Sequence, residues 1–366
     1  MSTHPPTQCG LATFNSALAG HLLQGGARGG FIRMVEGTPP ASDDPRVAYT
    51  WSTDSVDGWR RAARTLNSHD VAVVQHEYGI YPGPDGDHIV PMLDQLTVPS
   101  IVVLHTVLTT PSARQKAVLE QIVQSAHAVV TMTGTARDRL IAGYDVDPAK
   151  VTVIPHGAAD HSAQPAAKRT RPHLLTWGLI GPGKGIEWAI RALAQLSDVE
   201  PRPTYTVAGK THPKVLEHQG EAYRTSLQEL AAELGVADSV HFDPIYRDDA
   251  SLSKLINSAD VVLLPYDSRE QVTSGVLIEA VAAGVPVVAT PFPHAVEVLT
   301  DGPGLLVPYG DARAMANAIR DIITEPDLAA ISSAPSSTTL LWPAVAGRYS
   351  ALAHQLLAAS RISVPA

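Results

Sequence analysis

Two glycine-containing segments in the second half of the sequence carry residue types that bind anions. The first is TSGVLIEAVAAGVP, in which Thr273, Ser274 and Gly275 follow an apolar run and stand where a helix should begin. Free N–H groups and the positive end of a helix dipole at such a point would bind a diphosphate. Glu279, about one turn further on, could reach a ribose diol. The spacing alone fits equally well an ordinary capped helix with a surface glutamate.

The second segment is WGLIGPGKGIEWAI, where Lys184 lies in a Gly/Pro loop between a predicted strand and a predicted helix. A lysine just before a helix N-terminus adds a point charge to an anion site. The spacing of a Walker P-loop is absent. Taken by itself, Lys184 could equally be an ordinary solvated lysine in a loop that binds no ligand. Two anion-binding helix starts in one half of the chain favour the functional interpretation.

Histidines end three predicted strands of the first half, at His76 (VVQHEYG), His105 (IVVLHT) and His156 (VIPHG). Side chains at these positions of an open α/β sheet line its crevice, where they could act in acid–base chemistry or hold sugar hydroxyls. Buried histidines bonded to backbone carbonyls are the alternative. A metal site is not predicted, because no carboxylate pair or third ligand has suitable spacing. A further glycine turn, at Gly10, leads into a predicted helix.

Short apolar runs alternate with longer amphipathic stretches, which predicts an α/β fold with parallel sheets. The predicted strands are 71–74, 101–104, 128–132, 151–154, 174–177, 205–208, 240–242, 261–264, 285–289 and 305–307. The predicted helices are 14–23, 112–125, 135–142, 186–196, 223–234, 250–257, 276–283, 312–323 and 342–360. The first glycine turn comes so early that the leading strand is either very short or begins upstream of Met1.

The polar stretch 161–172 has no periodicity and predicts a linker between two domains. We therefore expect a first domain over 1–162, a second over 173–335 and a terminal helical segment over 336–366. With 366 residues, the chain is long enough for two average domains. Two α/β halves joined in this way suggest a site in a crevice at the carboxyl ends of both sheets.

Composition narrows the class of protein further. There are 36 acidic and 27 basic residues, for a net charge of −9, which argues against nucleic acid as a partner. Weak peripheral contact with a membrane stays open, since a local basic patch is compatible with an acidic total. The sequence has no apolar run long enough to span a bilayer, no signal-peptide pattern and one cysteine, so we expect a cytoplasmic enzyme.

The chain resembles the retaining glycosyltransferases of family 4. The resemblance covers nearly the whole chain and rests on PPTQCGLATF, VQHEYG, VLHT, VIPHG, GLIGPGKGIEWAI, SGVLIEAVAAGVPVVATPFPHAVEVL and GLLVPYGD. It implies the GT-B architecture, in which two Rossmann-like domains face each other across a cleft and a C-terminal helix crosses back to the first domain. It also implies a nucleotide-sugar donor bound mainly by the second domain, an acceptor bound mainly by the first, and no metal ion or other cofactor.

Residue by residue, the resemblance implies donor binding by Lys184 and by the backbone N–H groups of Ser274, Gly275 and Val276. Glu279 would hold the ribose hydroxyls.

In the first domain, His105 would lie beside the transferred sugar, and Gly10 would let the chain pass close to the donor phosphates. The helix over 342–360 corresponds to the family's terminal segment.

The sequence departs from the family at two positions. The first glutamate of the family's Glu-x7-Glu pair is Gln271 here, and the arginine five residues before the lysine is Leu179. A glutamine can bond a sugar hydroxyl but has no charge to stabilise an oxocarbenium ion. We expect Lys210, in AGKTHP, to replace the missing arginine, with Arg269 as an alternative.

The resemblance implies retaining transfer of a hexose, from GDP-mannose or UDP-glucose, to a glycan, lipid-linked or small-molecule acceptor. The catalytic residues would be His105, Lys184, Gln271 and Glu279. Two other functions remain open: a GT-B phosphorylase or sugar-nucleotide epimerase, and a nucleotide-sugar-binding protein without turnover.

Overall fold

A computed structural model describes residues 1–37, 42–162, 169–325 and 337–362. It divides the chain into two compact units. The first contains residues 1–157 and 342–366, and the second contains residues 158–341. These divisions differ from the boundaries at 162 and 336 that the sequence suggests.

The helices are α1 Gly10–Gln24, α2 Gly58–Leu66, α3 Ile89–Asp94, α4 Ala113–Ser125, α5 Gly134–Gly143, α6 Ile186–Ala194, α7 Pro213–Gln219, α8 Ala222–Glu233, α9 Asp249–Ile256, α10 Gly275–Ala282, α11 Pro293–Leu299, α12 Ala312–Thr324 and α13 Trp342–Ile362. The strands are β1 Phe31–Val35, β2 Val47–Ser52, β3 Ala72–His76, β4 Ser100–Leu104, β5 Ala128–Thr131, β6 Val151–Val153, β7 His173–Trp177, β8 Thr204–Ala208, β9 Val240–Asp243, β10 Val261–Leu264, β11 Val287–Ala289 and β12 Gly304–Leu306.

All the strand pairs are parallel, as the alternation of apolar runs and helical stretches predicts. The first unit has a pair, β1–β2, and a four-stranded sheet in the order β3–β4–β5–β6. Two residues lie between them: Met1 bonds to the backbone of β3, and Ser2 bonds to the backbone of β1. The position of a leading strand is therefore occupied by a very short segment.

Helix α13 packs on the first unit through aromatic side chains. Trp342 is 5% exposed and its ring lies edge-on to Phe14 of α1, with 5.1 Å between ring centroids. The ring also covers Gly157, where an added Cβ would be 2.3 Å from it. Val345 and Tyr349 continue the contact into the core beneath β4 and β5.

The second unit is a six-stranded sheet in the order β12–β11–β10–β7–β8–β9. Counted from β7, this is the 3-2-1-4-5-6 order of a doubly wound Rossmann sheet. Its central strands are buried on both faces, which explains their continuous apolar sequences. The strand order reverses between β7 and β10, and such a switch point leaves a crevice at the carboxyl ends of the two strands.

The predicted fold class, an α/β fold with two Rossmann-like domains, is confirmed. The sequence missed β1, which is buried throughout but contains Arg33, and β2, which is partly exposed on both faces. It also missed the short helices α2, α3, α7 and α11. Within the described parts of the chain, no helix has the length and apolar character needed to cross a membrane.

Replacing Trp342 by alanine tests the attachment of α13. We expect the first unit to lose about 3–5 kcal/mol of stability, the usual cost of removing a buried tryptophan. Chemical denaturation followed by circular dichroism measures this loss. Gln355→Ala, on the exposed side of the same helix, is the control and should cost less than about 0.5 kcal/mol. Equal stabilities for the two variants would contradict this packing.

Candidate functional site

The loops that follow β7 and β10 lie against each other at the switch point of the second unit. Gly185 precedes α6 with a φ of 62°, and an added Cβ would be 1.7 Å from the carbonyl oxygen of Pro265. The N–H of Asp267 donates to the carbonyl of Gly183, which joins the loops a second time. Only glycine combines this left-handed backbone with so close an approach. The N-termini of α6 and α10, which begin after these loops, therefore belong to the same edge of the sheet.

Lys184 lies in the first of these loops and is half-buried. Its Nζ stands 4.2 Å from the centroid of the Tyr266 ring, in a cation–π contact. Among the residues that the structure describes, no carboxylate pairs with Lys184. Its charge is therefore held at the carboxyl end of β10 without being neutralised, as an anion site requires.

The N-terminus of α10 is capped from two sides. The Ser274 hydroxyl accepts from the N–H of Leu277 at 3.3 Å, and the N–H of Ser274 donates to Nδ1 of the buried His294 at 2.7 Å. The expected role of the Ser274 N–H as a phosphate donor conflicts with this bond, because His294 already uses it. The backbone N–H groups of Gly275 and Val276 remain available as anion donors, since neither has an acceptor among the described residues.

Glu279 lies one turn into α10 and belongs to a network of hydrogen bonds. Its Oε2 accepts from His161 Nε2 at 2.6 Å and from the N–H of Ala159 at 3.1 Å. The His161 side chain is 2% exposed and the Glu279 side chain 18%. Glu279 is therefore accessible, although one of its oxygens is already occupied.

Gln271 and the two cations expected to assist Lys184 lie in or beside the same loops. The Gln271 side chain donates to the carbonyl of Thr273 at 3.1 Å. Lys210 is exposed, and its carbonyl accepts from the N–H of Ile180, beside Leu179. The guanidinium of Arg269 lies 4.3 Å from the centroid of the Tyr309 ring. Lys210 is thus the cation adjacent to the position of the missing arginine.

In the first unit, His105 follows β4 and donates from Nε2 to Gln75 Oε1 at 2.8 Å. Burial, with smaller effects from His156 and His76, lowers the pKa of His105 to about 3. The ring is therefore neutral at pH 7, and its Nε2 proton is engaged. Such a histidine can position a sugar but is poorly suited to donate a proton.

His76 and Gly10, also predicted to belong to the site, differ in accessibility. His76 is fully buried, and neither of its ring nitrogens has a partner in the described structure, so its expected place in a crevice is wrong. Gly10 begins α1, is exposed, and an added Cβ would meet nothing within 4 Å. The protein's own packing gives no reason for a glycine there, which leaves room for a ligand close to the backbone.

A cavity of about 430 Å³ lies in the first unit, at the carboxyl ends of β1, β2 and β3. Its lining consists of Glu36, Thr53, Tyr78, Gly79, Tyr81, Pro82, Gly83 and Asp85. Asp85 has a left-handed backbone with a φ of 55°, a conformation that non-glycine residues adopt at a cost. Arg114 lies 4.0 Å from Asp85 and pairs with Asp87 at 2.5 Å. With these neighbours included, the cavity keeps a surplus of negative charge.

No group of three or more histidine, cysteine, aspartate or glutamate residues in the described ranges could hold a metal ion.

Two histidines of this site, His161 and His294, are absent from the residues that the sequence indicates. His294 begins the helix after β11, at the same sheet edge, and its place after a strand could have indicated it. His161 stands at the start of the stretch interpreted as a polar linker, yet it is 3% exposed. Its partner Glu279 lies 118 residues away in the sequence, so no local pattern indicates it.

Two family models match adjoining parts of the chain. The model described as "Glycosyltransferase Family 4" matches residues 27–160, and "Glycosyl transferases group 1" matches residues 171–325. The chain belongs to glycosyltransferase family 4.

One curated relative of this family 4 member is a D-inositol 3-phosphate glycosyltransferase of Stackebrandtia nassauensis. It is 33% identical over 222 residues, which cover 56% of this chain and 48% of the relative. The chain thus spans about half the length of the curated relatives it matches.

Two solved structures show the GT-B fold of the family 4 member. A sucrose-phosphate synthase from Thermosynechococcus elongatus superimposes with a TM-score of 0.72 at 20% identity, covering 95% of this chain and 94% of the other. Anabaena HepE, in complex with UDP-glucose, superimposes with a TM-score of 0.61 at 18% identity, covering 87% and 86%. At these identities the likeness supports the fold alone.

Because His76 is buried and neutral, we expect the folded protein to lose stability in acid. Burial lowers its pKa from 6.5 to about 4, so between these pH values the unfolded state binds a proton that the folded state does not. Folding stability therefore falls as the pH drops from 6.5 towards 4, by up to about 1.4 kcal/mol per pH unit from this group.

Replacing His76 by leucine should flatten this dependence. Urea denaturation of both proteins at pH 7.5, 6.5, 5.5 and 4.5 measures it. The comparison at pH 7.5 isolates the packing effect of the substitution, since neither state is protonated there. Parallel stability curves for the two proteins below pH 6.5 would rule out the buried neutral histidine.

Proposed function

We propose that the protein is a retaining, metal-independent hexosyltransferase that uses a nucleotide-sugar donor. The observation that carries the proposal is the arrangement at the switch point of the second unit. There Lys184, which pairs with no carboxylate in the described ranges, and the N–H groups of Gly275 and Val276, which have no acceptor in those ranges, follow neighbouring strands. Positive groups of this kind can neutralise a diphosphate, which metal ions do in other transferases.

The donor is a nucleoside diphosphate hexose, with UDP-glucose and GDP-mannose as the two candidates. The HepE complex contains UDP-glucose, which supports the first of these. Glu279, one helical turn beyond the diphosphate amides, would accept from the ribose hydroxyls. Lys210 would supply the second positive charge that Leu179 cannot.

During transfer, the bond between the anomeric carbon and the diphosphate oxygen breaks. The acceptor oxygen forms its bond on the same face of the sugar, and the acceptor proton passes to the leaving diphosphate. Lys184 and the α10 amides stabilise the charge that develops on this leaving group. Gln271 and the neutral His105 bond sugar hydroxyls, so the protein contributes positioning and electrostatics without a covalent nucleophile.

The acceptor binds in the cavity of the first unit. Glu36 and Asp85 in its lining can accept hydrogen bonds from the hydroxyl groups of a carbohydrate. Relatives are named for D-inositol 3-phosphate and sucrose phosphate. The negative lining of this cavity would repel a phosphate, so we infer a neutral or cationic acceptor.

Two other functions would use the same anion site. A phosphorylase or epimerase would bind phosphate or nucleotide sugar there without an acceptor, and a binding protein would not turn over its ligand. The replacement of the family's first glutamate by Gln271 is the observation that favours the binding protein.

A thermal-shift titration with UDP, GDP, ADP and their hexose conjugates, with and without EDTA, tests the donor site. One nucleoside diphosphate and its hexose conjugates should raise the melting temperature of the protein by mass action, and EDTA should not reduce this rise. Lys184→Met should weaken binding about tenfold or more, the range for contacts between charged groups. Lys210→Ala should weaken it to a smaller extent.

Lys254→Met, at an exposed lysine on α9, is the control and should bind like the wild type. Incubation with the bound nucleotide sugar then separates the functions: an epimerase converts it without an acceptor, whereas a transferase requires one. Absence of any nucleotide shift, or a shift that EDTA abolishes, would contradict the proposal.

Acceptors that differ only in a phosphate group test whether the negative charge of the cavity determines acceptor choice. With the identified donor, glucose and inositol should be used better than glucose 6-phosphate and D-inositol 3-phosphate. Glu36→Gln and Asp85→Asn should each reduce the ratio of activity with neutral acceptors to activity with phosphorylated acceptors by about two- to fivefold. This is the usual size of interactions between partly exposed charges. Asp138→Asn, an exposed carboxylate on α5, is the control. A wild-type preference for the phosphorylated acceptors would contradict the inference.

A further inference from the structure

The carboxylate of Glu279 is asymmetrically bonded. Both of its protein donors, His161 Nε2 and the Ala159 N–H, bond to Oε2. In the part of the chain that the structure covers, Oε1 accepts from no protein group. Because a carboxylate is planar, fixing one oxygen at two points also fixes the direction in which the other one points.

The hydrogen-bond chemistry of His161 requires a proton on Nε2. An ionised glutamate can only accept, so Nε2 must donate to it at 2.6 Å. On the other side of the ring, Nδ1 lies 2.9 Å from the hydroxyl of Ser253, which also lies 2.7 Å from the carbonyl of Asp249. Both ring nitrogens of His161 therefore have a partner in the protein.

The ring is also held from its backbone. The side chain of Asn257, just beyond α9, donates to the carbonyl of His161 at 2.7 Å. With only 2% of its side chain exposed and partners on both ring nitrogens, His161 has one orientation available. Contacts from α9 thus hold the ring that orients the carboxylate on α10.

We propose that His161 is a positioning residue for donor recognition: it fixes Glu279 so that Oε1 faces a ribose hydroxyl of the nucleotide. This inference rests on the proposed function, in which Glu279 contacts the ribose. It assigns to His161 the choice between ribonucleotides and deoxyribonucleotides, since an unfixed carboxylate bonds a ribose diol less well. A histidine serving only to pack the fold would influence both kinds of nucleotide equally.

The experiment compares the affinity of the protein for UDP and 2′-deoxy-UDP, or the matching GDP or ADP pair, by calorimetry. Wild type should prefer the ribonucleotide, and His161→Ala should reduce the preference by about tenfold, the size expected for a lost bond to a charged group. His161→Gln, whose amide can donate near the position of Nε2, should restore most of it. In a Glu279→Gln background, His161→Ala should have little further effect, because the two residues act together.

Lys254→Met, at an exposed position on α9, is the matched control, since it leaves every bond to His161 and Glu279 in place. It should keep the ribose preference, and thermal unfolding of every variant shows whether it is folded. An unchanged preference in folded His161→Ala, with the wild type discriminating normally, would overturn the inference alone. A wild type that binds no nucleotide, or binds both kinds equally, would instead overturn the proposed donor site on which it rests.

Discussion

The contact between Gly185 and the carbonyl of Pro265 sets the distance between the loops that follow β7 and β10. A side chain at position 185 would collide with that carbonyl, and the bond between Asp267 and Gly183 keeps the loops together. The 3-2-1-4-5-6 strand order makes these loops neighbours, but close approach at this point is what holds Lys184 over Tyr266. The positions of the Lys184 charge and of the N–H groups that begin α10 both depend on it.

The diphosphate and the ribose of a bound nucleoside diphosphate would lie in different electrostatic surroundings. At the diphosphate, Lys184 rests on an aromatic face, which holds a cation without cancelling its charge. At the ribose, Glu279 is paired with His161, so half of its bonding capacity is already used. In the proposed complex, the charge of Lys184 would thus be available to the diphosphate, whereas the charge of Glu279 would be partly offset where neutral hydroxyls bind.

The parts of this structure that sequence predicts are those with local causes. The central strands and the glycine loop at Lys184 are indicated by apolar runs and glycine placement, and their positions agree with the structure to within a few residues. The pairing of His161 with Glu279 and the bond from Ser274 to His294 arise from tertiary packing over long separations in the chain. Strand β2 was missed because its partial exposure interrupts the apolar pattern, and β1 because the buried Arg33 interrupts its apolar run.

The second unit is a continuous insertion into the first. It begins at Ala158 and ends at Leu341, and these two residues pair with each other in a parallel bridge. Segments whose ends are adjacent can be excised or exchanged with little disturbance of the chain around them. The first unit, in contrast, is interrupted and needs residues from both sides of the insertion to complete its core. The second unit is therefore organised so that recombination could replace it as one block while the first unit keeps its chain order and its core.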